Sequence, residues 1–335
     1  MKNSMIAKVL FGFSTIGSLL TAVLLLACNE PFDPRGELDQ KLVVFSVLST
    51  DRNVQFVRVE RVYMPGGNDP LAHLTDNFVP NVTVTMRDGD LTMRFHDTSF
   101  SRFDTSRFKF PWHAYALAPF IPRYGVQYEI TAQSSELGTA GGKVIVPTRP
   151  SLALGAFASD VLNNPGSHQS GDPIPFEVFL SDIAKGFIGR LFIEYSVYRS
   201  GEWINERAEV PVGYTYSGLK DFKYVTYPQV THRPTTHQMV CAYTNEMYSH
   251  TLIEVVYARN PGSKIAFNRI VFQFLQVEQN LYNYYLVAHA FNDPHSMRLD
   301  QPDYSNILGG VGLVGAYTLD SLVYPLPEDF GFNRQ

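Results

Sequence analysis

Short stretches in which apolar and polar residues alternate with a period of two constrain the fold of this chain more than any other feature. The clearest case is residues 82–87, which are followed by the turn Asp88-Gly89 and by a second alternating stretch at residues 91–95. Such alternation places one face of a strand against a core, and Asp-Gly between two such stretches is a strong hairpin signal. The sequence therefore predicts a β-hairpin with the apolar side chains of both strands on one face.

Other predicted strands, some alternating and some nearly continuous apolar runs, lie on both sides of a segment rich in proline, glycine and serine. Residues 41–48, 57–60, 126–130 and 143–146 precede that segment, and residues 191–197 and 272–274 follow it. Two segments, 244–259 and 277–291, instead have apolar residues at helical spacing. We predict a mostly β fold, with an immunoglobulin-like β-sandwich at residues 41–148, a linker or long loop at 149–174, and a β-rich domain with one or two short helices at 175–335.

Residues 1–27 predict export from the cytoplasm. Lys2 and Lys8 accompany an apolar run at residues 9–26, and Ala27 is a small residue directly before Cys28. A positive region, an apolar region and a small residue before the cleavage site define a secretory signal peptide. The competing interpretation is an uncleaved transmembrane anchor, since a run of this length can span a membrane. No cluster of positive charges follows the run, which favours cleavage.

Cys28 at the predicted cleavage site is typical of a bacterial lipoprotein signal. We predict that Cys28 becomes the acylated first residue, carrying palmitate-type chains that hold the protein on a membrane. Residues 28–40 are polar and contain two prolines, which suits a tether. Asn29 is not the aspartate that retains lipoproteins at the inner membrane, so we expect an outer-membrane location, on the periplasmic face or at the cell surface.

The composition of the exported chain excludes several classes of ligand. Removing residues 1–27 from 335 leaves 308 residues, enough for two domains with their own cores, and removing Lys2 and Lys8 changes the formal charge from -5 to -7. A mildly acidic chain without a basic block is not expected to bind nucleic acid. With Cys28 acylated, Cys241 is the one other cysteine, so we expect no internal disulfide and a small buried thiol.

A glycine motif near the end of the chain matches the dinucleotide fingerprint G-x-G-x-x-G. Residues 310–315 have this spacing, but no strand–turn–helix unit with a following acidic residue surrounds them. We therefore predict a glycine-rich strand or turn packed against neighbouring backbone, and no nucleotide.

Three other groups contain residue types used in catalysis or metal binding. None has the spacing that a zinc site, a calcium loop or a glycosidase carboxylate pair requires. We predict no catalytic residue, metal or cofactor, although a hydrolase with an unrecognised site stays an alternative. The groups are His232, His237, Cys241 and His250; Glu202, Glu206 and Glu209; and Asp293, Asp300 and Asp303.

Aromatic and arginine residues are interleaved between residues 97 and 112, where segment 97–103 is partly echoed by 104–108. Such residues often anchor protein interfaces, and aromatic rings also stack on sugars. The alternative is that these rings cover an edge of the sandwich. The candidate contact residues are Phe100, Arg102, Phe103, Arg107, Phe108 and Trp112.

Several segments together resemble one known family. They are residues 28–34 with the strand at 42–44, the hairpin at 82–89, residues 124–128, and the tyrosine-rich segment 282–285 leading to Ser305-Asn306-Ile307-Leu308-Gly309-Gly310. In this combination the chain resembles the Bacteroidetes lipoproteins known as the domain of unknown function 4249 family, over nearly the whole mature length. It departs from that pattern at Val314, where an aromatic residue is more usual, and at residues 97–113, which resemble an insertion.

The resemblance implies no established activity and brings no catalytic residues. Members of the family are often encoded beside TonB-dependent outer-membrane transporters, so it implies an accessory role at that membrane. Our first hypothesis is a non-enzymatic, lipid-anchored accessory or binding protein that works with such a transporter or another envelope partner. The alternative is a surface glycan-binding or adhesive protein that uses the aromatic segment.

Overall fold

Most of the described residues lie in β-strands, which confirms the mostly β fold class. The computed structural model describes residues 39–63, 75–106, 108–216, 223–289, 304–328 and 330. Cys28, Arg107 and the three aspartates at 293, 300 and 303 lie outside these residues. The predicted lipidation site is therefore not part of the structure described below.

The strands and helices follow the chain in this order. The first half contains β1 (Leu42–Ser49), β2 (Gln55–Arg61), β3 (Thr83–Asp88), β4 (Leu91–Arg94), β5 (His96–Phe100), β6 (Trp112–Leu117), β7 (Gln127–Ser134), β8 (Gly138–Ile145) and β9 (Ser151–Leu154). The second half contains α1 (Ala158–Asn163), the short 3-10 helix Pro165–Ser167, β10 (Pro173–Phe179), β11 (Gly186–Arg199), β12 (Glu202–Val210), β13 (Gly213–Tyr216), β14 (Lys223–Thr226), β15 (Thr231–His232), β16 (Gln238–Thr244), α2 (Asn245–His250) continuing as the π-helical segment Thr251–Tyr257, β17 (Ile265–Val277), α3 (Gln279–His289) and β18 (Gly310–Pro325).

Within the described ranges, the largest sheet has nine strands drawn from both halves of the chain. Its order is β12-β11-β17-β18-β1-β2-β6-β5, with β15 beside β11. The last strand, β18, pairs in parallel with β1 and antiparallel with β17, so it joins strands from before and after the predicted linker. The sheet thus runs across the predicted boundary at 149–174, and Gln40–Gln335 form one compact unit. Whether the two halves fold independently stays a prediction.

One face of this long sheet carries two hydrophobic cores, each covered by a smaller sheet. The first core lies against the four-stranded sheet β4-β3-β7-β8 and includes Val44, Ile130 and Val314. The second lies against the three-stranded sheet β16-β10-β9, where the rings of Phe176 and Phe272 stack with centroids 4.2 Å apart. Because alternate residues of β18 point to the same face, this one strand contributes to both cores. The first core has the two-layer packing of the predicted sandwich.

The hairpin predicted from residues 82–95 is confirmed. Strands β3 and β4 pair up to Asp88↔Leu91, and Gly89 has φ 57°, a left-handed conformation that glycine adopts without strain. Met86 and Phe95 are buried in the first core, as the alternation predicts. Leu91 differs, since 59% of it is exposed. It lies beside the turn on an edge strand, where little of the opposing sheet can cover it.

Both predicted helical segments are helical. Thr244 caps α2, its hydroxyl accepting a hydrogen bond from the N–H of Met247. The apolar face of α2 and the π-helical segment packs on the second core through Tyr248 and Leu252. Helix α3 covers the start of the second predicted helical segment, and its described part ends at His289.

The glycine motif lies in β18, which confirms the predicted glycine-rich strand against neighbouring backbone. Gly312 faces Val44 in the parallel pair and has φ 124°. A Cβ at this position would overlap the Val44 carbonyl oxygen. The motif therefore allows two backbones to approach closely, and it has no phosphate-binding turn.

Along the first half of β18, side chains make the hydrogen bonds that a neighbouring strand makes along the second half. Strand β17 pairs with β18 only from Tyr317 onward. Before that point the Ser305 hydroxyl accepts the Gly312 N–H at 3.0 Å, and the Asn306 side chain bonds both the N–H and the carbonyl of Val314, at 2.9 and 2.8 Å. The Ser-Asn pair that carries the family resemblance thus bonds backbone groups of β18 that no neighbouring strand pairs.

Glu278 bonds both β18 and the start of α3, and α3 lies on the face of the long sheet opposite the two cores. Its carboxylate accepts the N–H groups of Asn280, Leu281 and Ala316, at 2.6, 2.8 and 3.3 Å. Burial raises the pKa of this carboxyl, while the three N–H groups lower it. Leu281 packs over Gly315, whose lack of a side chain leaves room for the helix.

No helix among the described residues has the length and apolar character needed to cross a membrane.

Candidate functional site

Three aromatic rings meet on the outer face of the long sheet, opposite the cores. Phe100 of β5 and Trp112 of β6 are direct partners in the strand register, and their ring centroids are 5.6 Å apart. Phe56 of β2 contacts both rings, at 5.6 and 5.9 Å. The strand pairing therefore brings together two residues predicted from the sequence and a third from a distant segment.

Phe45 and Arg58 extend this cluster across the sheet. They are direct partners in the β1–β2 pair, so their side chains point to the same face as Phe56. The ring of Tyr284 on α3 contacts Phe45 at 5.6 Å and borders the cluster on that side. The Arg58 guanidinium pairs with Glu60, while its Nε is buried without a hydrogen-bond partner among the described residues.

Two adjacent cavities open on this face, each of about 380 Å³. The first is lined by Phe56 and Trp112, and the second by Phe108 and Phe110. Both are also lined by Phe45 and Arg58, so these two residues form the ridge between them. Concave walls that combine aromatic rings with a few charged groups are typical of binding sites.

The loop after β5 packs against itself around Arg102. The Arg102 guanidinium lies 5.1 Å from the ring centroids of both Phe108 and Phe110, and its Nε donates to the Phe110 carbonyl at 2.9 Å. These contacts hold the loop at the edge of the second cavity. Phe103, by contrast, is fully exposed.

We define the aromatic surface by the side chains that these contacts connect. Of the residues predicted from the sequence, the structure brings together four, leaves Phe103 in solvent nearby, and does not describe Arg107. The aromatic surface consists of Phe45, Phe56, Arg58, Phe100, Arg102, Phe108, Phe110 and Trp112.

Other residues fill the core at this edge of the sandwich. Phe95 and Tyr115 are buried behind the aromatic surface. The Tyr115 hydroxyl donates to the Val79 carbonyl at 2.8 Å and accepts the Val82 N–H at 3.1 Å, and burial raises the pKa of this phenol. The rings of Phe100 and Trp112 are thus not needed to close the core.

The candidate residues predicted from the sequence did not include Phe45, Phe56 and Arg58, nor Phe110, which lies within the predicted aromatic segment. A signal existed for Phe45, because residues 42–48 form a nearly continuous apolar run, which is typical of a strand covered on both faces. Phe56 and Arg58 lie on the polar side of an alternating strand. Only the pairing of β2 with β1 and β6 places them beside the predicted residues.

The structure does not bring Glu202, Glu206 and Glu209 together. Glu206 accepts a hydrogen bond from Tyr195 at 2.9 Å, and Glu209 pairs with Arg190 on the opposite face of β12. Carboxylates on opposite faces of one strand cannot flank a single glycosidic bond.

The histidines and Cys241 are also dispersed. His237 pairs with Asp182 at 2.6 Å, His232 contacts the Tyr282 ring and His250 bonds Tyr214. Cys241 packs against the second core, where burial raises the pKa of its thiol to about 12. A thiol with such a pKa stays protonated at neutral pH and is a poor nucleophile or metal ligand. Among the described residues, no three potential metal ligands are grouped.

Comparison with known proteins identifies the family. No curated protein sequence matches this chain significantly. Among solved structures, the C-terminal globular domain of an oligosaccharyltransferase from Pyrococcus abyssi aligns with 73% of this chain at 9% identity and a TM-score of 0.21, and the chain spans 51% of that domain. So weak a likeness supports no conclusion. The family model described as domain of unknown function (DUF4249) matches residues 29–322, so this protein belongs to the DUF4249 family.

Proposed function

We propose that this protein is a non-enzymatic binding protein of the cell envelope that contacts a protein partner through the aromatic surface. The observation that carries the proposal is the convergence of Phe100, Arg102, Phe108 and Trp112 with Phe45, Phe56 and Arg58 on one open sheet face. The proposed partner is a TonB-dependent outer-membrane transporter, and the proposed anchor is a lipid on Cys28.

The composition of the surface favours a protein partner over a small molecule. Aromatic residues and arginine are enriched among the residues that dominate protein interface energies. Two neighbouring cavities separated by the Phe45–Arg58 ridge suit two side chains of one partner segment. The Phe103 side chain beside them is available to fill a pocket on the partner, since it contacts solvent on all sides.

We expect labelled palmitate to be incorporated into the native protein in bacterial cells and not into Cys28→Ala. The thioether-linked diacylglycerol and the amide-linked acyl chain of a lipoprotein both require this cysteine, and Cys241 is half-buried and protonated. The measurement is fluorography of the immunoprecipitated protein, with Cys241→Ala as the matched control that retains the label. Label that persists in Cys28→Ala would contradict the proposed anchor.

We expect the double variant Trp112→Ala/Phe103→Ala to lose most of its partner binding while it keeps its fold. Truncating two anchor residues commonly weakens an interface by about 2–4 kcal/mol, which is about 30-fold or more in affinity. The matched control is Phe157→Ala/Tyr216→Ala, which removes two exposed rings elsewhere, 83% and 69% exposed. Copurification of the transporter after gentle crosslinking measures binding, and thermal unfolding reports the fold.

A photo-crosslinking amino acid at position 103 tests the partner directly. Crosslinks from position 103 to an outer-membrane transporter, absent from position 157, would support the proposal. Equal crosslinking from both positions, or none from position 103, would contradict it. A glycan array distinguishes the alternative, because Trp112-dependent binding of a glycan by the purified protein would support a surface glycan-binding function instead.

A further inference from the structure

A third cavity lies on the outer face of the long sheet, at the end opposite the aromatic surface. It has a volume of about 490 Å³ and is bordered by Glu194 of β11, Asn205 and Arg207 of β12, and Asn268 and Arg269 of β17. The register places Glu194 opposite both Arg207 and Arg269, so these side chains share one face. None of these residues belongs to the aromatic surface.

Arg207 is the most weakly paired of the three arginines near this cavity. Arg190 makes two hydrogen bonds to Glu209, at 2.8 and 2.5 Å, and Arg269 makes one to Glu194 at 2.6 Å. The Arg207 guanidinium lies 3.9 Å from Glu194, beyond hydrogen-bond distance, and makes no hydrogen bond within the described chain. Arg207 and Arg269 therefore share Glu194, and these three arginines and two glutamates carry one excess positive charge.

The Phe192 ring holds the Arg207 guanidinium in place. The guanidinium carbon lies 3.4 Å from the ring centroid, as in a cation–π contact. Burial lowers the pKa of Arg207, as do the neighbouring charges of Arg190 and Arg269, while Glu194 raises it. A stacked guanidinium whose N–H groups are open is suited to bind a carboxylate through two parallel hydrogen bonds.

The side-chain amides of Asn205 and Asn268 lie beside Arg207, and together they offer one donor and one acceptor that make no hydrogen bond within the described residues. The Ser196 hydroxyl accepts the Asn268 Nδ2 group at 2.9 Å and donates to Asn205 Oδ1 at 2.8 Å. Within the described residues this leaves Asn205 Nδ2 without an acceptor and Asn268 Oδ1 without a donor. A hydroxyl group, which both donates and accepts, complements such a pair.

An aromatic pair continues the same face toward the β11–β12 turn. Trp203 and Tyr198 are register partners with ring centroids 5.4 Å apart, and both are exposed. Alternate residues of a strand are separated by roughly 7 Å, so Arg207, Asn205 and Trp203 form a row with steps comparable to a sugar ring. Aromatic rings next to hydrogen-bonding groups suit the apolar face and the hydroxyls of a sugar.

From these contacts we propose that this cavity binds an acidic sugar, with its carboxylate on Arg207 and its hydroxyls on Asn205 and Asn268. A monovalent carboxylate balances the one excess positive charge. The adjoining Glu206 does not oppose it, since Arg199 pairs with Glu206 at 2.7 Å. The site is independent of the aromatic surface and of the proposed partner.

Titration calorimetry of the purified full chain with glucuronate tests the proposal, with glucose as the neutral probe and acetate as the carboxylate without a sugar ring. We expect glucuronate to bind at least about tenfold more tightly than either, and Arg207→Gln to weaken that binding by about tenfold or more. Arg87→Gln, an exposed arginine on β3 paired with Glu129, is the matched control and is expected to bind as the native protein does.

Failure of the native protein to bind glucuronate, or equal binding by Arg207→Gln, would overturn the site. Acetate binding as tight as glucuronate binding would overturn the assignment to a sugar. Equal binding of glucose would overturn the role of the carboxylate. Unchanged thermal unfolding of Arg207→Gln would show that the loss of binding is local.

Discussion

Gly312→Val is expected to destabilise the folded protein strongly. The position has φ 124°, which β-branched residues do not tolerate, and its Cβ would overlap the Val44 carbonyl oxygen in the adjacent parallel strand. Backbone strain and overpacking each cost about 1–3 kcal/mol, and neither neighbour can move without breaking the β1–β18 pair. We expect a loss of at least about 3 kcal/mol in the free energy of unfolding, a large fraction of the stability of a typical protein.

Urea unfolding followed by circular dichroism measures this loss. The matched control is Gly213→Ala, which also replaces a strand glycine but meets no atom within 4 Å. We expect the control to unfold within about 1 kcal/mol of the native protein. If Gly312→Val unfolds at the same urea concentration as the control, the close approach of β1 and β18 is wrong.

Asn306→Ala is expected to cost about 2–5 kcal/mol. The substitution leaves the N–H and the carbonyl of Val314 without their partners, and Val314 is fully buried between the two sheets. Each unsatisfied buried backbone group costs about 1–3 kcal/mol. The effect should be large for an asparagine, because β17 does not pair with this part of β18 and the Asn306 amide makes the hydrogen bonds that a neighbouring strand would make.

Thermal and urea unfolding measure this second effect, with Asn164→Ala as the control. Asn164 is exposed and makes one side-chain hydrogen bond, to Asp160 at 3.4 Å, so its loss should cost less than about 1 kcal/mol. Equal stability of Asn306→Ala and the control would show that water satisfies the Val314 groups. Together the two variants separate a steric requirement of β18 from a hydrogen-bonding one.

Local structure could be predicted from the sequence where turn residues, capping residues or apolar alternation occur within a few positions of one another. The Asp88-Gly89 turn, the cap at Thr244 and the alternation of residues 82–86 each depend on neighbours within a few positions. The physical reason is that turns, caps and amphipathic faces are set by local hydrogen bonds and side-chain periodicity. Such signals predicted the hairpin and both helices.

Long-range pairing did not follow from the sequence. The glycine motif at residues 310–315 predicts a strand or turn against neighbouring backbone, but nothing in it specifies that β1 will be the parallel neighbour, nearly 270 positions away. The Ser305-Asn306 pair is recognisable as a family feature, but the sequence does not show which groups it bonds. Its partners Gly312 and Val314 lie on the other side of a chain reversal. The order of the strands in the long sheet also could not be read from composition, which marks loops and not strand neighbours.

The candidate sites also depend partly on local sequence and partly on long-range strand pairing. The sequence by itself determined that the chain is mostly β, that it carries an aromatic segment with arginines and that it belongs with the DUF4249 proteins. Only the tertiary structure decided that Phe45, Phe56 and Arg58 join Phe100 and Trp112, and that the Arg207 guanidinium lies over the Phe192 ring. Residues that meet across strands share no local pattern, so the free energy of packing the whole sheet selects their neighbours.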